Sequence, residues 1–457
     1  MQPNDSTWKN EWLDEIRGLY LSADDANEPV SDFEQRTAKR LAELGRRLIK
    51  RKLEALSPQA PFTENGTEWR VAVRSTRGVL TLFGKVSVRR PLFRCRREGE
   101  TRCLVTERAG LFEHLWTPRA AKLAAMVVAE MPLAVAEEYL REAGVVFASR
   151  SSLLRLGGAL SSLWESDREA NEQALREQTP IPDGAVTAAA SLDGVMLTMV
   201  DSDRAPKKAE ARAEGRPDKG PSGFREASVG VVAFYDADGE RLATRRYARM
   251  PEEDKRTTKA WLTAEITHIR KARPGIKIVA LADGAANNWT FLEGLRADVE
   301  MVDFFHTAEH VSRHVNQANG ASTTETQALA KSMRHRLLNE PGAADKVFRD
   351  LQALREGAGT ASPSSLKTSG KRQPTYFERH RHRMDYVGAR ALKLPIGSGV
   401  TESTCKLAVC DRLRRTGMRW SNAGGQAILT LRALKVSGQF QLAWRLLEGR
   451  NAQHLSA

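Results

Sequence analysis

Cysteine is scarce, with 4 in 457 residues. So few thiols exclude a disulfide-stapled scaffold and point to a reducing compartment, the cytoplasm. Long apolar runs are missing too. No stretch approaches the roughly 18 residues a membrane helix needs, and the opening MQPNDSTWKNEW carries no apolar core of the secretory-signal kind. Acidic residues thin out near the C-terminus: between Leu366 and Ala457 there are 5 Asp/Glu against 17 Lys/Arg. That segment therefore holds +12 of the chain's +14 formal charge. A basic excess so concentrated suits a polyanionic partner, most simply nucleic acid; a solvated charged surface is the alternative. What remains, 41% hydrophobic and 28% charged residues, is the composition of a soluble globular protein. The length leaves room for about three domains at 100–200 residues each.

Hydrophobic patterning divides the chain. Residues 1–60 read as helical: Ser31 or Asp32 caps a helix with Leu41, Leu44 and Leu48 on one face, ended by Ser57-Pro58. Residues 61–116 alternate as an Arg-rich β-hairpin region, punctuated by Gly78 and Gly84. Cys95 and Cys103 follow, with His114 nearby; four zinc ligands are lacking, so two reduced thiols are expected. Residues 117–165 read as three helices: one opened by Thr117-Pro118, one with Val135, Ala136, Tyr139 and Leu140 inward, and one capped by Ser149 with Leu153, Leu154 and Leu156 inward. The turn glycine Gly144 and short capped helix give the grammar of a helix-turn-helix, with Arg150 and Arg155 exposed toward DNA; an ordinary helical hairpin is the alternative.

After an acidic helical linker at roughly 163–178 the texture becomes α/β. A strand lies within Val186–Val200, residues 203–224 form a loop, and Ala227–Tyr235 and Leu242–Tyr247 flank a DADGE turn. A helix near Thr257–Lys271, a strand ending in Asp283, a helix near Asn288–Leu295 and a short strand VEMVDFF complete the run. Three antiparallel strands, then helix, strand, helix, strand, is the order of a ribonuclease H-like core. The fold class expected is therefore α/β (α+β) and multidomain. Its catalytic core occupies 180–306 and 395–457, split by a helical insertion at 307–394 that closes in a flexible GAGTASPSSLKTSGKRQP.

Three carboxylates stand out in that frame. Asp193 interrupts an apolar strand, Asp283 ends another, and Glu402 opens a helix that Ser398 or Thr401 caps. The first and fourth strands are neighbours in such a sheet, so the acids converge although 90 and 119 residues separate them. Carboxylates so placed repel unless a cation screens them, and hard oxygen ligands select Mg²⁺ or Mn²⁺. Two such ions, about 3.5–4 Å apart, support in-line phosphoryl transfer. Asp303 and His306 follow the fifth strand and suit a supporting role beside the acids; His310 and His314 share a helical face with His306, which makes a metal pair geometrically open.

Around these residues the chain resembles bacterial insertion-sequence transposases of the DDE type, most nearly the Kra-type insertion-sequence family. The likeness runs from about Val71 to Trp444 and is carried by LDGV, LADGAANNW, VDFFHTAEH and the block LPIGSGVTESTCKLAVCDRLRRTGMRWSNAGGQAILTLRALKVSGQF. It implies a DNA transposase that cuts at terminal inverted repeats and joins 3′-hydroxyls to target DNA. It implies Asp193, Asp283 and Glu402 as the metal-holding triad, Asp303 and His306 as a D-x-x-H signature, and a dimer or higher oligomer on paired ends. The basic residues then gain roles: Lys406, Arg412, Arg414, Arg415 and Arg419 grip DNA backbone, and Trp420 stacks on an unpaired base or packs in the core. A ribonuclease H-like nuclease or resolvase, or an inactive DNA-binding regulator, are the rival readings.

Overall fold

A computed structural model describes residues 5–23, 26–95, 99, 101–200, 204–215, 223–357 and 376–456. The fold is mixed α/β, 58% helix and 20% strand, with two sheets. The chain separates into two compact units, Met1–Leu163 with Trp444–Ala457, and Trp164–Ala443.

In the first unit, helices α1 (Asp5–Ser22) and α2 (Val30–Ala55) precede an antiparallel meander of β1 (Phe62–Glu64), β2 (Thr67–Thr81), β3 (Gly84–Cys95) and β4 (Thr101–Arg102). Helix α2 starts after Pro29 with no side-chain cap, not at Ser31 or Asp32. Its packed face also differs from the expected leucine stripe. Leu41 and Leu48 are exposed, whereas Gly45 and Leu53 are buried and Ile49 packs with Val79, Val86 and Val88. Gly45 explains the rotation: a Cβ there would lie 2.4 Å from the Phe83 ring, so only glycine admits that aromatic against the helix. Cys95 is buried in a cluster with Trp69, Phe93 and Leu104, and both it and Cys103 are free thiols.

Helix α3 (Leu104–Ala109) leads to α4 (Pro118–Glu130), α5 (Leu133–Glu142) and α6 (Arg150–Ser166). The expected punctuation is present: Thr117 precedes Pro118 at the first helical position, Gly144 has φ 66°, and Ser149 Oγ accepts from Ser152 N at 3.4 Å. The buried stripes are narrower than expected. Ala136 and Leu140 of α5 and Leu153 and Leu156 of α6 are inside, whereas Val135, Tyr139 and Leu154 face solvent. On these helices only one i, i+3/i+4 line meets a neighbour.

The second unit opens with α7 (Arg168–Gln178), which is no mere linker. Glu172 is buried there, 3.2 Å from Arg168, and accepts the Tyr247 hydroxyl at 2.7 Å. A five-stranded sheet follows, built from β5 (Thr187–Thr198), β6 (Phe224–Tyr235), β7 (Arg241–Arg249), β8 (Lys277–Ala282) and β9 (Val299–Val302) in the order β7-β6-β5-β8-β9. β5, β6 and β7 pair antiparallel, while β5, β8 and β9 run parallel. The 203–224 region, expected as loop, contains helix α8 (Arg204–Ala213). Helices α9 (Arg256–Ala272) and α10 (Ala286–Gly294) make the crossovers to β8 and β9. β9 stops at Val302, because Asp303 caps the next helix instead of extending the strand.

That next helix, α11 (Phe304–Ala318), begins the excursion with α12 (Thr324–Asn339), α13 (Ala343–Gly357), α14 (Tyr376–His380) and α15 (Tyr386–Ala391). The Gly/Ser-rich segment expected to be flexible lies, from residue 358, outside the described residues. Met333, Leu337, Val347 and Leu351 of the excursion join the same apolar core as Ile278, Val279 and Ala280 of β8. Helix α16 (Gly399–Thr404), a π-helical turn at Cys405–Cys410, α17 (Asp411–Leu413), α18 (Asn422–Val436) and α19 (Phe440–Ser456) end the chain.

Candidate active site

Asp193 sits mid-strand on β5, and Asp283 lies one residue beyond the end of parallel neighbour β8. Backbone pairing of Ala190 with Ala280 brings the two acids to the same level of the sheet. Asp193 is partly buried; Oδ1 accepts from Gly194 N at 2.7 Å and Oδ2 from the Cys405 thiol at 3.4 Å. Burial pushes its carboxyl above the ordinary range, the Gly194 N–H pulls it down, and the nearby charge of Asp283 pushes it up again. Asp283 Oδ1 accepts from Ala285 N at 3.1 Å and Asn288 Nδ2 at 3.5 Å, and its carbonyl receives the Trp289 indole N–H at 2.5 Å.

Glu402 departs from the expected convergence. It projects from α16 with its side chain 55% exposed, and its Oε1 lies 3.9 Å from His306 Nδ1. Among the described residues, the group with ligand atoms close enough to share an ion is Asp303, His306 and Glu402, all within 4.8 Å. Asp193, Asp283 and Glu402 do not form such a group. The exposed glutamate turns to the one imidazole beside it, because an unscreened approach to two aspartates would be repulsive.

Asp303 is fully buried, and both its oxygens are engaged. Oδ1 accepts from His306 N at 2.9 Å; Oδ2 accepts the Ser398 hydroxyl at 2.6 Å and the Ser398 backbone N–H. Burial raises this carboxyl, but the hydrogen bonds from His306 and Ser398 outweigh burial and hold it at about 2. Its neighbour His306 moves the other way. The Asp303 carboxylate, Nδ1 to Oδ1 3.4 Å, lifts the imidazole to about 9 against desolvation, helped by Asp283 and Glu402. Asp303 is thus a clamp, not an open ligand. Ser398 precedes α16, so the clamp fixes the start of the helix that carries Glu402.

No protein-family model matches the chain, and no curated protein matches it at a significant level.

The remaining candidates separate by exposure. Lys406, Arg414, Arg415 and Arg419 are solvent-facing. Arg412 is not: it is 1% exposed, with its guanidinium 5.6 Å from the Trp420 ring centre. Trp420 is likewise pinned, its indole N–H donating to Leu413 O at 2.8 Å and its backbone pairing with Thr198 and Val200. Arg412 is therefore not placed to grip DNA backbone as expected; Trp420 is half-buried and packs beside Arg412. The buried positions 404, 408, 412 and 405, 409, 413 recur every four residues. At about 100° per residue, positions 401, 405, 408 and 412 lie within about 60° of one another, so Arg412 shares the buried face of Thr401, Cys405 and Ala408. Arg150 and Arg155 are exposed on α6, with Arg150 2.8 Å from Glu137. The histidine pair further along is packing: His310 stacks on Tyr376 at 3.8 Å, and His314 Nδ1 meets the His310 carbonyl at 2.8 Å.

Lys255 was not visible from sequence. Its Nζ lies 3.1 Å from both Glu226 Oε1 and Asn288 Oδ1, and its charge counters the upward push on Asp193. Gly194 permits this arrangement, since a Cβ there would lie 2.0 Å from Glu226 Oε1. Lys255 and Asp254 both take left-handed backbone (φ 53° and 50°), a pattern with no residue signature in PEEDK.

Proposed function

We propose that this chain is a DNA transposase of the DDE type, built on a ribonuclease H-like core, that cuts transposon ends and transfers the strand to target DNA. The observation that carries the reading is the pair Asp193 and Asp283, on adjacent parallel strands at one level of the sheet and close enough for one charge to raise the other's carboxyl. A second support is the resemblance of the block from Leu394 to Phe440 to insertion-sequence transposases.

The donor set suits a hard divalent ion. Asp193 and Asp283 are oxygen donors, Asp193 is held up by burial and by its neighbour, and Lys255 is the cation that partly compensates. Asp193 and Asp283 would hold Mg²⁺ or Mn²⁺, with Glu402 completing the set by rotating its exposed carboxylate away from His306. Two bound ions supply activation of a water or 3′-hydroxyl and stabilisation of the leaving oxygen. The protein's part is positional. Asp303 fixes α16 through Ser398, and Lys406, Arg414, Arg415 and Arg419 present positive charge to phosphates. Helices α4–α6 supply the helix-turn-helix that reads terminal repeats. Dimerisation on paired ends follows from the resemblance alone.

The test uses the full chain with labelled duplexes drawn from DNA flanking its gene. Mg²⁺-dependent cleavage followed by strand-transfer products is expected, with D193N and E402Q each losing at least a hundredfold in rate while circular dichroism is unchanged. Retained cleavage in D193N would refute the triad. Cleavage without strand transfer would make the protein a nuclease instead.

A further inference from the structure

A cavity of about 170 Å³ lies in the first unit, lined by Arg77, Glu113, His114, Leu115, Trp116 and Arg155. Three separate pieces of chain build it. Arg77 comes from β2 and Arg155 from α6, while residues 113–116 form a tight turn. That turn is fastened to the meander: Leu80 N donates to Leu115 O at 2.7 Å, and Thr117 N to Leu80 O at 3.0 Å. Trp116 is 1% exposed and makes a rigid apolar floor. The lining is therefore held by sheet and helix, not by a loose loop.

The turn itself is costly. Leu115 N closes on Phe112 O at 3.0 Å, and both residues between have positive φ, 53° at Glu113 and 51° at His114. Asn-Gly ordinarily fills such a two-residue turn, because side chains crowd the left-handed region. Glutamate and histidine there accept strain and, in return, put two polar side chains at the cavity. Residues kept in strained backbone cluster at ligand-binding places.

The two arginines are unspent. Neither the Arg77 nor the Arg155 guanidinium forms an ion pair or hydrogen bond among the described residues, and both are exposed. Several other arginines of this unit are engaged, such as Arg102 with Glu64 and Glu107, or Arg150 with Glu137. Two guanidiniums against the single Glu113 carboxylate leave the cavity with one net positive charge, the match for one phosphodiester. Burial, with Arg90 and Arg77 nearby, holds the His114 imidazole below its usual value, so it stays neutral near pH 7 and offers a ring N–H without adding charge.

We propose that this cavity is a binding site for a single backbone phosphate of DNA, clamped between Arg77 and Arg155 beside His114. The site deepens the DNA-acting reading above and rests on it. It also reassigns Arg155. A residue on the third helix of a helix-turn-helix is the natural base reader, but here it shares a phosphate with a strand residue outside that motif. Arginine suits the task because its planar fork binds phosphate oxygens through two parallel N–H groups.

The experiment is a salt titration of binding between the full chain and a fluorescein-labelled 30-base-pair duplex, read by anisotropy from 50 to 200 mM salt. Each neutralised phosphate contributes a slope of about 0.9 in log K against log salt, so losing one contact lowers the penalty over this range by about 3.5-fold. R77A and R155A should each flatten the slope by up to about 0.9, and the double variant R77A/R155A by no more than about 0.9, since both hold the same phosphate. R77K should keep the slope, and E113Q should tighten binding two- to fourfold at 50 mM salt. A double-variant change near 1.8 would mean two separate phosphates and overturn the shared clamp. Unchanged slopes in variants, with wild-type binding steep in salt, would overturn the site and leave the transposase reading standing. A loss in R155A that depends on duplex sequence but not on salt would make Arg155 a base reader and likewise overturn it. Absence of any DNA binding by wild type would refute the function itself.

Discussion

Asp303→Asn is the substitution with the most to say about how the candidate site is held. The carboxylate accepts three hydrogen bonds from His306 and Ser398 in a fully buried position and is held at about 2 instead of 3.8. That depression corresponds to about 2 kcal/mol at 1.36 kcal/mol per unit. An amide cannot accept through its nitrogen, so at least one buried donor is orphaned, at roughly 1–3 kcal/mol. A loss of about 2–4 kcal/mol in urea unfolding at pH 7 is expected. The sign with pH follows from the depressed value: the contribution is complete above the unfolded value of 3.8 and is lost as pH falls through about 2. The gap between wild type and D303N should thus narrow by about 1 kcal/mol from pH 7 to pH 3. His306 gives a second readout. Its raised value of about 9 depends first on Asp303, so its contribution is complete below 6.5 and disappears as pH rises through 9. In D303N the imidazole should titrate close to its ordinary value by NMR. A stability change under about 0.5 kcal/mol, with His306 still titrating near 9, would refute the clamp.

Other expectations are simpler. G45A forces a methyl to within 2.4 Å of Phe83 and should cost about 1–3 kcal/mol in denaturant unfolding, largely relieved by adding F83L. E265A removes the carboxylate that buried Arg245 meets at 2.7 Å and Arg176 at 3.8 Å, leaving Arg245 its bond to Thr179 O, and should cost about 3–5 kcal/mol in denaturant unfolding. D254G relieves a left-handed residue but deletes its 2.5 Å ion pair with Lys259, so the two effects offset and stability should change by less than about 0.5 kcal/mol in thermal unfolding.

The sheet was legible because its strands are apolar runs broken by glycine and acidic turns. Ile278–Ala282 can be little but a buried parallel strand, and an aspartate at its end must sit at the sheet edge. The side-chain partners were less legible. Glu402 could be placed on its helix from the Ser-x-x-x-Glu pattern, but whether it faces Asp193 or His306 depends on a rotamer that no pattern encodes. The Arg-rich run after it misled for a definite reason. Its charge suggested solvent, whereas counting by 3.6 puts Arg412 on the buried face of Thr401, Cys405 and Ala408. Leu41 and Leu48 misled because periodicity identifies two possible faces on a leucine-rich helix, and one glycine chose between them. Lys255 left no trace, since strained backbone in a charged loop looks like any solvated turn.

The bonds from Asp303 to Ser398, joined by Phe304 N to Ile396 O at 2.9 Å, tie together points 95 residues apart. They make the helical excursion a closed loop with a fixed mouth. The entropy of closing a flexible loop grows only logarithmically, about 0.6 kcal/mol per doubling of length. Extra residues inside the excursion therefore cost little, while a displacement of a single ångström at the mouth would move the helix carrying Glu402. Length is a soft variable in this protein, and the knot at Asp303 is a hard one.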